Sequence, residues 1–127
     1  MQRVFFVYLK LEIEIWGFVN ELTRQQIAIL ERLVSGGFSV VAFPLYANAV
    51  GVRKGQYAAL LDPVAGGGFR VFGEPCVLLD GNLTVRVADT GKSWFVWKKL
   101  RVEATVERIC ELEGFVSELR MLLEPRA

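Results

Sequence analysis

The chain has no histidine and only two cysteines, Cys76 and Cys110, among its 127 residues. The usual cysteine and histidine ligands of a structural zinc site are therefore too few. The absence of histidine also removes the Ser-His and Cys-His nucleophile pairs and the commonest general base near neutral pH. We therefore predict a protein that is not an enzyme and that needs neither a metal nor another cofactor.

Long hydrophobic runs are also missing, although 53% of the residues are hydrophobic. A membrane-spanning helix needs roughly 20 predominantly apolar residues, and the uninterrupted apolar runs fall far short of that length. Near the amino terminus, Lys10, Glu12 and Glu14 fall within the apolar stretch, and no small-residue cleavage site is present. These features predict a cytoplasmic protein with no membrane partner.

The chain also lacks a strong excess of charge of either sign, because it has 15 basic and 14 acidic residues and a formal net charge of +1. Capture of duplex DNA by overall charge is therefore not predicted. The charge is nevertheless uneven, since residues 70–101 contain six basic residues and three acidic ones. Any affinity for a nucleic acid has to come from a local patch.

Two segments show the period of an amphipathic helix. After Thr23, apolar residues recur every three or four positions until Gly36, and Gln26 completes a capping-box pattern. After Thr105, which is suited to cap a helix, the same period continues over residues 105–124. We expect this carboxy-terminal helix to pack on the chain's own sheet. Its apolar stripe is wide enough to contact a second copy of the chain too, so we also expect a homo-oligomer.

Strand patterns occupy much of the remaining chain. Residues 7–16 alternate between apolar and polar side chains, and residues 38–46 are rich in β-branched and aromatic side chains, with Pro44 indicating an edge or a bend. Residues 47–62 are ambiguous. They fit either a loop followed by a helix at about residues 53–61, which we favour, or two strands interrupted by glycines.

A hairpin is predicted in the second half of the chain. Residues 83–88 and 93–102 are strand-like, and the segment between them, Asp-Thr-Gly-Lys, is typical of a four-residue hairpin loop. We assume a register that places Arg86 opposite Phe95, because it separates apolar from polar side chains. With a short strand at residues 69–72, these elements predict one α+β domain spanning the whole chain. Its mainly antiparallel sheet has four to five strands and packs against two main helices.

Residues 93–101, SWFVWKKLR, combine aromatic rings with cations. Read as one strand, they place two rings and two cations on one face, namely Phe95, Trp97, Lys99 and Arg101. Aromatic rings stack on unpaired bases at about 1–3 kcal/mol per base, while cations contact phosphates. The hairpin therefore predicts a surface that binds single-stranded nucleic acid through Arg86, Trp94, Phe95, Trp97, Lys98, Lys99 and Arg101.

Other residues extend this surface if their strands lie alongside the hairpin: Arg70, Phe72, Tyr46, Tyr57 and Phe43. A competing interpretation is an ordinary sheet whose rings cover a hydrophobic layer beneath a helix. That interpretation explains the rings, but it leaves the cations on the same face without partners, and burying unpaired cations is costly.

Residues 79–85 read LDGNLTV, residues 94–98 read WFVWK, and residues 102–105 read VEAT before the last helix. In this succession the carboxy-terminal half resembles the archaeal ThermoDBP group and its related proteins, which are single-stranded DNA-binding proteins of hyperthermophiles. The resemblance implies a fold other than the OB fold, a cleft for bases between sheet and helices, and assembly into dimers or larger oligomers. It assigns nucleic-acid contacts to Trp94, Phe95, Trp97, Lys98 and nearby basic residues.

The sequence therefore favours sequence-tolerant binding of single-stranded nucleic acid, with DNA preferred to RNA only because of the resemblance. The alternative is a protein-interaction or self-assembly module that uses the terminal helix and the aromatic hairpin. An enzyme is the weakest interpretation, because Asp62, Asp80 and Asp89 lie in turn contexts and form no compact catalytic group.

Overall fold

The computed structural model describes residues 22–124 except residues 47 and 66, so the predicted strand at residues 7–16 lies outside the described residues. The elements in chain order are α1 (Arg24–Ser35), β1 (Ser39–Val41), a 3₁₀ turn (Pro44–Tyr46), β2 (Val50–Lys54), β3 (Tyr57–Pro63), β4 (Phe69–Leu79), β5 (Asn82–Leu83), β6 (Val85–Asp89), β7 (Lys92–Trp97), β8 (Leu100–Glu103) and α2 (Val106–Leu123). The predicted α+β class is confirmed.

The strands of the described residues form two antiparallel sheets. A five-stranded sheet has the order β1-β2-β3-β4-β5, and a three-stranded sheet has the order β6-β7-β8. Strand β7 lies against β4, which brings the small sheet onto the large one. Within the described part of the chain, neither helix is both long and apolar enough to cross a bilayer.

Helix α1 begins at the predicted capping box. The Thr23 side chain accepts a hydrogen bond from the Gln26 backbone N–H (3.1 Å), and the Gln26 side chain accepts one from the Thr23 backbone N–H (2.9 Å). The buried Gln26 amide also donates to the carbonyl groups of Val64 and Gly68. A buried amide is tolerated because its polar groups are paired, and it fixes the loop between β3 and β4 against the helix.

Helix α2 packs on the chain's own core, as expected. The Phe115 ring lies 5.5 Å from the Phe38 ring and 6.2 Å from the Tyr57 ring, measured between ring centroids. Leu119 of α2 and Leu33 of α1 are fully buried in the same core. The helical period therefore encoded a contact with the chain's own core.

Residues 50–63 form strands β2 and β3 and their turn at Gly55 and Gln56, so the helix we favoured at about residues 53–61 is wrong. Both strands are paired on both sides, because β2 also pairs with β1 and β3 also pairs with β4. A Cβ atom at Gly51 would lie 2.5 Å from the Phe43 ring. This glycine therefore permits a close approach within the sheet, which the sequence alone does not reveal.

Two predicted strands end or break earlier than expected. The strand predicted at residues 38–46 ends at Val41, because Pro44 begins a 3₁₀ turn. The strand predicted at residues 83–88 is divided at Thr84, whose buried hydroxyl donates to the Val77 carbonyl (2.6 Å). The break separates β5, which belongs to the large sheet, from β6 in the small one.

The Tyr57 hydroxyl donates to the Glu111 carboxylate (2.7 Å), and burial, followed by this carboxylate, raises the pKa of Tyr57 above its ordinary value. A raised pKa in the folded state means that the stabilisation is complete below pH ~10 and is lost as pH rises through the higher pKa. We therefore expect the free energy of unfolding to decrease above pH ~10.

Denaturant unfolding of the wild type and the Tyr57→Phe variant on either side of this pH measures the effect. The variant should show the smaller decrease, since it has no phenol to ionise. An equal decrease in both proteins would contradict a role for Tyr57.

Candidate nucleic-acid interface

The β6–β7 hairpin has the predicted register, with Arg86 opposite Phe95. Its turn consists of Thr90 and Gly91, which both have positive φ angles, 49° and 79°. Positive φ at both central positions is typical of the type I′ turn, whose twist matches that of two antiparallel strands. The loop is therefore two residues long rather than the four predicted, because Asp89 and Lys92 pair with each other at the ends of the strands.

The segment at residues 93–101 is not one strand. Strand β7 ends at Trp97, and β8 begins at Leu100 after a turn at Lys98 and Lys99. Lys98 has a φ of 52°, a value unusual for a residue with a long side chain. The chain therefore reverses inside the segment that we expected to be extended.

This reversal changes which residues share a face, because directly paired residues in an antiparallel sheet point to the same side. Arg101 pairs with Val96 rather than continuing the Phe95 face. The prediction that Lys99 and Arg101 lie on one face with Phe95 and Trp97 is therefore wrong. We call the side of the small sheet that carries Trp94, Val96 and Arg101 the Trp94 face.

Phe95 is a core residue, with 1% of its surface exposed. Its ring belongs to the same buried cluster as the helices and the large sheet, because β7 lies against β4. The prediction that Phe95 stacks on bases is therefore wrong, and the competing interpretation of a ring covering a hydrophobic layer is correct for this residue. Arg86 stays beside it, with the guanidinium carbon 5.9 Å from the centre of the Phe95 ring.

The two tryptophans of β7 are each accompanied by a cation. The Arg101 guanidinium lies 4.1 Å from the centre of the Trp94 ring, and it also lies 3.7 Å from the Asp89 carboxylate. The ammonium group of Lys98 lies 5.1 Å from the centre of the Trp97 ring. Both tryptophans are only partly exposed. On the Trp94 face, the ring of Trp94 and the cation of Arg101 therefore already contact each other within the protein.

Two other rings are exposed beside the small sheet. Tyr46 and Phe72 have 41% and 48% of their surfaces exposed, and their rings lie 6.4 Å apart at an interplanar angle of 65°. They line a cavity of about 390 Å³ together with Glu74 and Arg86, and the buried ring of Phe95 forms part of its wall. We call this cavity, lined by Tyr46, Phe72, Glu74, Arg86 and Phe95, the aromatic groove.

The fold thus unites part of the predicted surface. It brings Phe72, Tyr46, Arg86 and Phe95 together around the aromatic groove. The remaining predicted residues lie elsewhere among the described residues: Trp94 and Arg101 on the Trp94 face, Trp97 on the Phe95 side outside the groove, Lys98 and Lys99 in the turn, Tyr57 buried against Phe115, and Phe43 against Gly51.

Arg70 lies two residues before Phe72 in β4, so both side chains point to the same face of the large sheet. The Arg70 guanidinium is exposed and pairs with the Asp62 carboxylate (3.0 Å). An ion pair this exposed stabilises a fold by only about 0–1 kcal/mol. Arg70 is therefore available to a ligand that leaves the aromatic groove in this direction.

A second cavity, of about 670 Å³, adjoins the aromatic groove between β4, β6 and α2. We call it the helix cavity. Its wall on the α2 side includes Ile109, Leu112 and Val116, and it shares Glu74 and Arg86 with the aromatic groove. These two charged residues therefore stand at the boundary between the cavities.

Glu74 was not predicted from the sequence as a site residue. Glycine and proline flank it, at Gly73 and Pro75, inside a segment that the structure shows to be a strand. Glycine or proline within a strand is a signal of a bulge. The pattern Gly-Glu-Pro was therefore the available sign that this carboxylate leaves the regular sheet.

Comparison of the chain with protein-family models, with curated proteins and with solved structures gives no match. The resemblance of the carboxy-terminal half to the ThermoDBP group therefore stays an expectation. A function has to be inferred from the aromatic groove itself. Among the described residues, no group of three acidic or cysteine side chains is placed to hold a metal ion.

Proposed function

We propose that this protein binds single-stranded nucleic acid in the aromatic groove, as a non-enzymatic cytoplasmic protein. The observation that carries the proposal is the pair of exposed rings, Tyr46 and Phe72, in one concave site with Arg86, which makes no ion pair with any described residue. Exposed aromatic side chains that line a cavity with a cation are suited to a ligand with flat apolar faces and negative charge.

Stacking would supply most of the affinity. Each base stacked on an aromatic ring contributes about 1–3 kcal/mol, and every base has a face that can stack. Tyr46 and Phe72 meet nearly edge to face, so a base that lies on one ring can contact the edge of the other. Binding by these rings tolerates any base sequence.

Cations would contribute less. Arg86 makes no ion pair with any residue that the structure describes, and Arg70 lies on the Phe72 side of β4 in an exposed pair. These are the two cations best placed to contact phosphates of a strand in the groove. Because they are few, the affinity should depend only weakly on salt. DNA is preferred to RNA in this proposal only on the resemblance.

Titration of a labelled oligothymidine of about 16 nucleotides by fluorescence anisotropy tests the proposal. Each phosphate contact to a single strand gives a slope of about −0.7 in a plot of log affinity against log salt, so two contacts predict a slope of about −1.4. The Arg86→Gln variant should halve this slope.

The matched control is Arg101→Gln, which removes a cation from the Trp94 face. It should leave the slope unchanged, because Arg101 lies outside the aromatic groove. No binding by the wild type at moderate salt would overturn the proposal. A slope altered by Arg101→Gln and not by Arg86→Gln would move the ligand to the Trp94 face.

A second candidate function, self-assembly or binding of another protein, is favoured by strand β6. It is an edge of the small sheet among the described residues, and it exposes Val85 (67%) and Val87 (43%). Exposed edge strands with apolar side chains are sites where further strands pair. This alternative predicts a stable oligomer by light scattering, with no affinity for oligothymidine.

A further inference from the structure

Glu74 is placed by a bulge in strand β4. On one side of the bulge Phe72 pairs with Leu60, and on the other side Cys76 pairs with Ala58. Three residues of β4 therefore face a single residue of β3, and Gly73 has a φ of 70°, where glycine is favoured. Bulges redirect side chains and are frequent beside functional sites. Here the redirected side chain lines the aromatic groove.

The Glu74 carboxylate makes no ion pair or hydrogen bond with any residue that the structure describes. Glu74 and Arg86 both line the groove, but they do not form an ion pair with each other. A free carboxylate in a groove for nucleic acid repels phosphates. Its favourable partners on that ligand are therefore the N–H groups of a base. The adjacent Arg86 offers N–H donors, which suit acceptors on a base.

Guanine offers both N–H donors for the carboxylate and acceptors for the guanidinium. Its N1–H and N2–H groups form an adjacent pair of donors that a carboxylate can accept together, and its O6 and N7 atoms form an adjacent pair of acceptors that an arginine can contact together. Thymine offers a single N–H donor, whereas cytosine and adenine offer one amino group each. A carboxylate and a guanidinium beside exposed rings therefore match guanine best.

We propose that the aromatic groove prefers guanine, with Glu74 accepting from its N1 and N2 groups and Phe72 or Tyr46 stacking on the ring. Arg86 then donates to O6 and N7 of the guanine, whereas in oligothymidine, which offers no such pair of acceptors, it contacts a phosphate. This inference rests on the proposed function and adds a preferred base to it. Glu74 and Arg86 both line the helix cavity as well as the aromatic groove, so they lie at the boundary between the two. That placement lets both contact one base.

The test compares oligothymidines that carry one central guanine, adenine, cytosine or hypoxanthine, titrated with the wild-type protein. The guanine oligonucleotide should bind about tenfold more tightly than the adenine one, as expected for one well-placed bidentate contact. Hypoxanthine, which lacks the N2 amino group, should fall between them. The Glu74→Gln variant should lose the preference for guanine, because an amide cannot accept both donors.

Loss of a negative charge alone also raises affinity for any oligonucleotide, so the readout is the ratio of guanine to adenine affinity. Glu113→Gln is the matched control, since Glu113 lines the helix cavity and not the aromatic groove. It should keep the wild-type ratio. Equal binding of all four oligonucleotides, or tightest binding of cytosine, would overturn the guanine preference and leave the proposed function intact. No binding of any of them would overturn both.

Discussion

Phe72→Ala is expected to weaken oligothymidine binding by about 1–3 kcal/mol, or about 5-fold to 150-fold in affinity. The Phe72 ring is half exposed and faces the aromatic groove, so its loss removes a stacking surface and leaves the core intact. Tyr46→Ala should have an effect of the same kind. Fluorescence-anisotropy titration of each variant at one salt concentration measures the loss.

The double variant, Tyr46→Ala with Phe72→Ala, shows whether one base contacts both rings or each ring stacks on its own base. The two rings are 6.4 Å apart, so a base that contacts both couples their contributions, and the two losses then do not add. Leu45→Ala is the control, because Leu45 is exposed next to Tyr46 and does not line the groove. Unchanged affinity in Phe72→Ala, together with a loss in Trp94→Ala, would place the strand on the Trp94 face instead.

Phe95→Ala is expected to reduce the free energy of unfolding by about 3–5 kcal/mol, the range for truncating a buried phenylalanine. The side chain is almost fully buried where the small sheet meets the large one. Since small domains have a total stability of about 5–15 kcal/mol, this is a severe loss. Chemical denaturation followed by tryptophan fluorescence measures it.

Two further variants make the result specific. Phe95→Leu retains most of the buried volume and should lose less than about 1.5 kcal/mol. Val85→Ala, at an exposed position of the neighbouring strand, should change stability by no more than about 0.5 kcal/mol. If Phe95→Ala left stability unchanged and abolished binding, the ring would be a ligand contact, and its assignment to the core would be incorrect.

The parts of the fold that were predictable are those that neighbouring residues specify. The capping box at Thr23 and Gln26 is complete within four residues, and it appears in the structure as expected. The hairpin register follows from the alternation of apolar and polar side chains, and the Asp-Thr-Gly-Lys segment marks where the chain turns. In both cases the decisive pattern is local.

The predictions were wrong where distant parts of the chain determine the local conformation. Strands β2 and β3 have no unambiguous local pattern, and they are strands because β1 and β4 pair with them on either side. The turn at Lys98 and Lys99 carries no glycine, asparagine or proline, so no signal marked the point where the chain reverses. That single reversal moved Arg101 to the opposite face from Phe95.

By itself, the sequence determined that this is an α+β domain with two capped helices and an aromatic, basic hairpin, because helix period, helix caps and strand alternation are properties of short segments. Only the tertiary structure decided which rings meet solvent. Burial depends on which surfaces pack together, and the contact of β7 with β4 buries Phe95 while Phe72 and Tyr46 stay open beside Glu74 and Arg86.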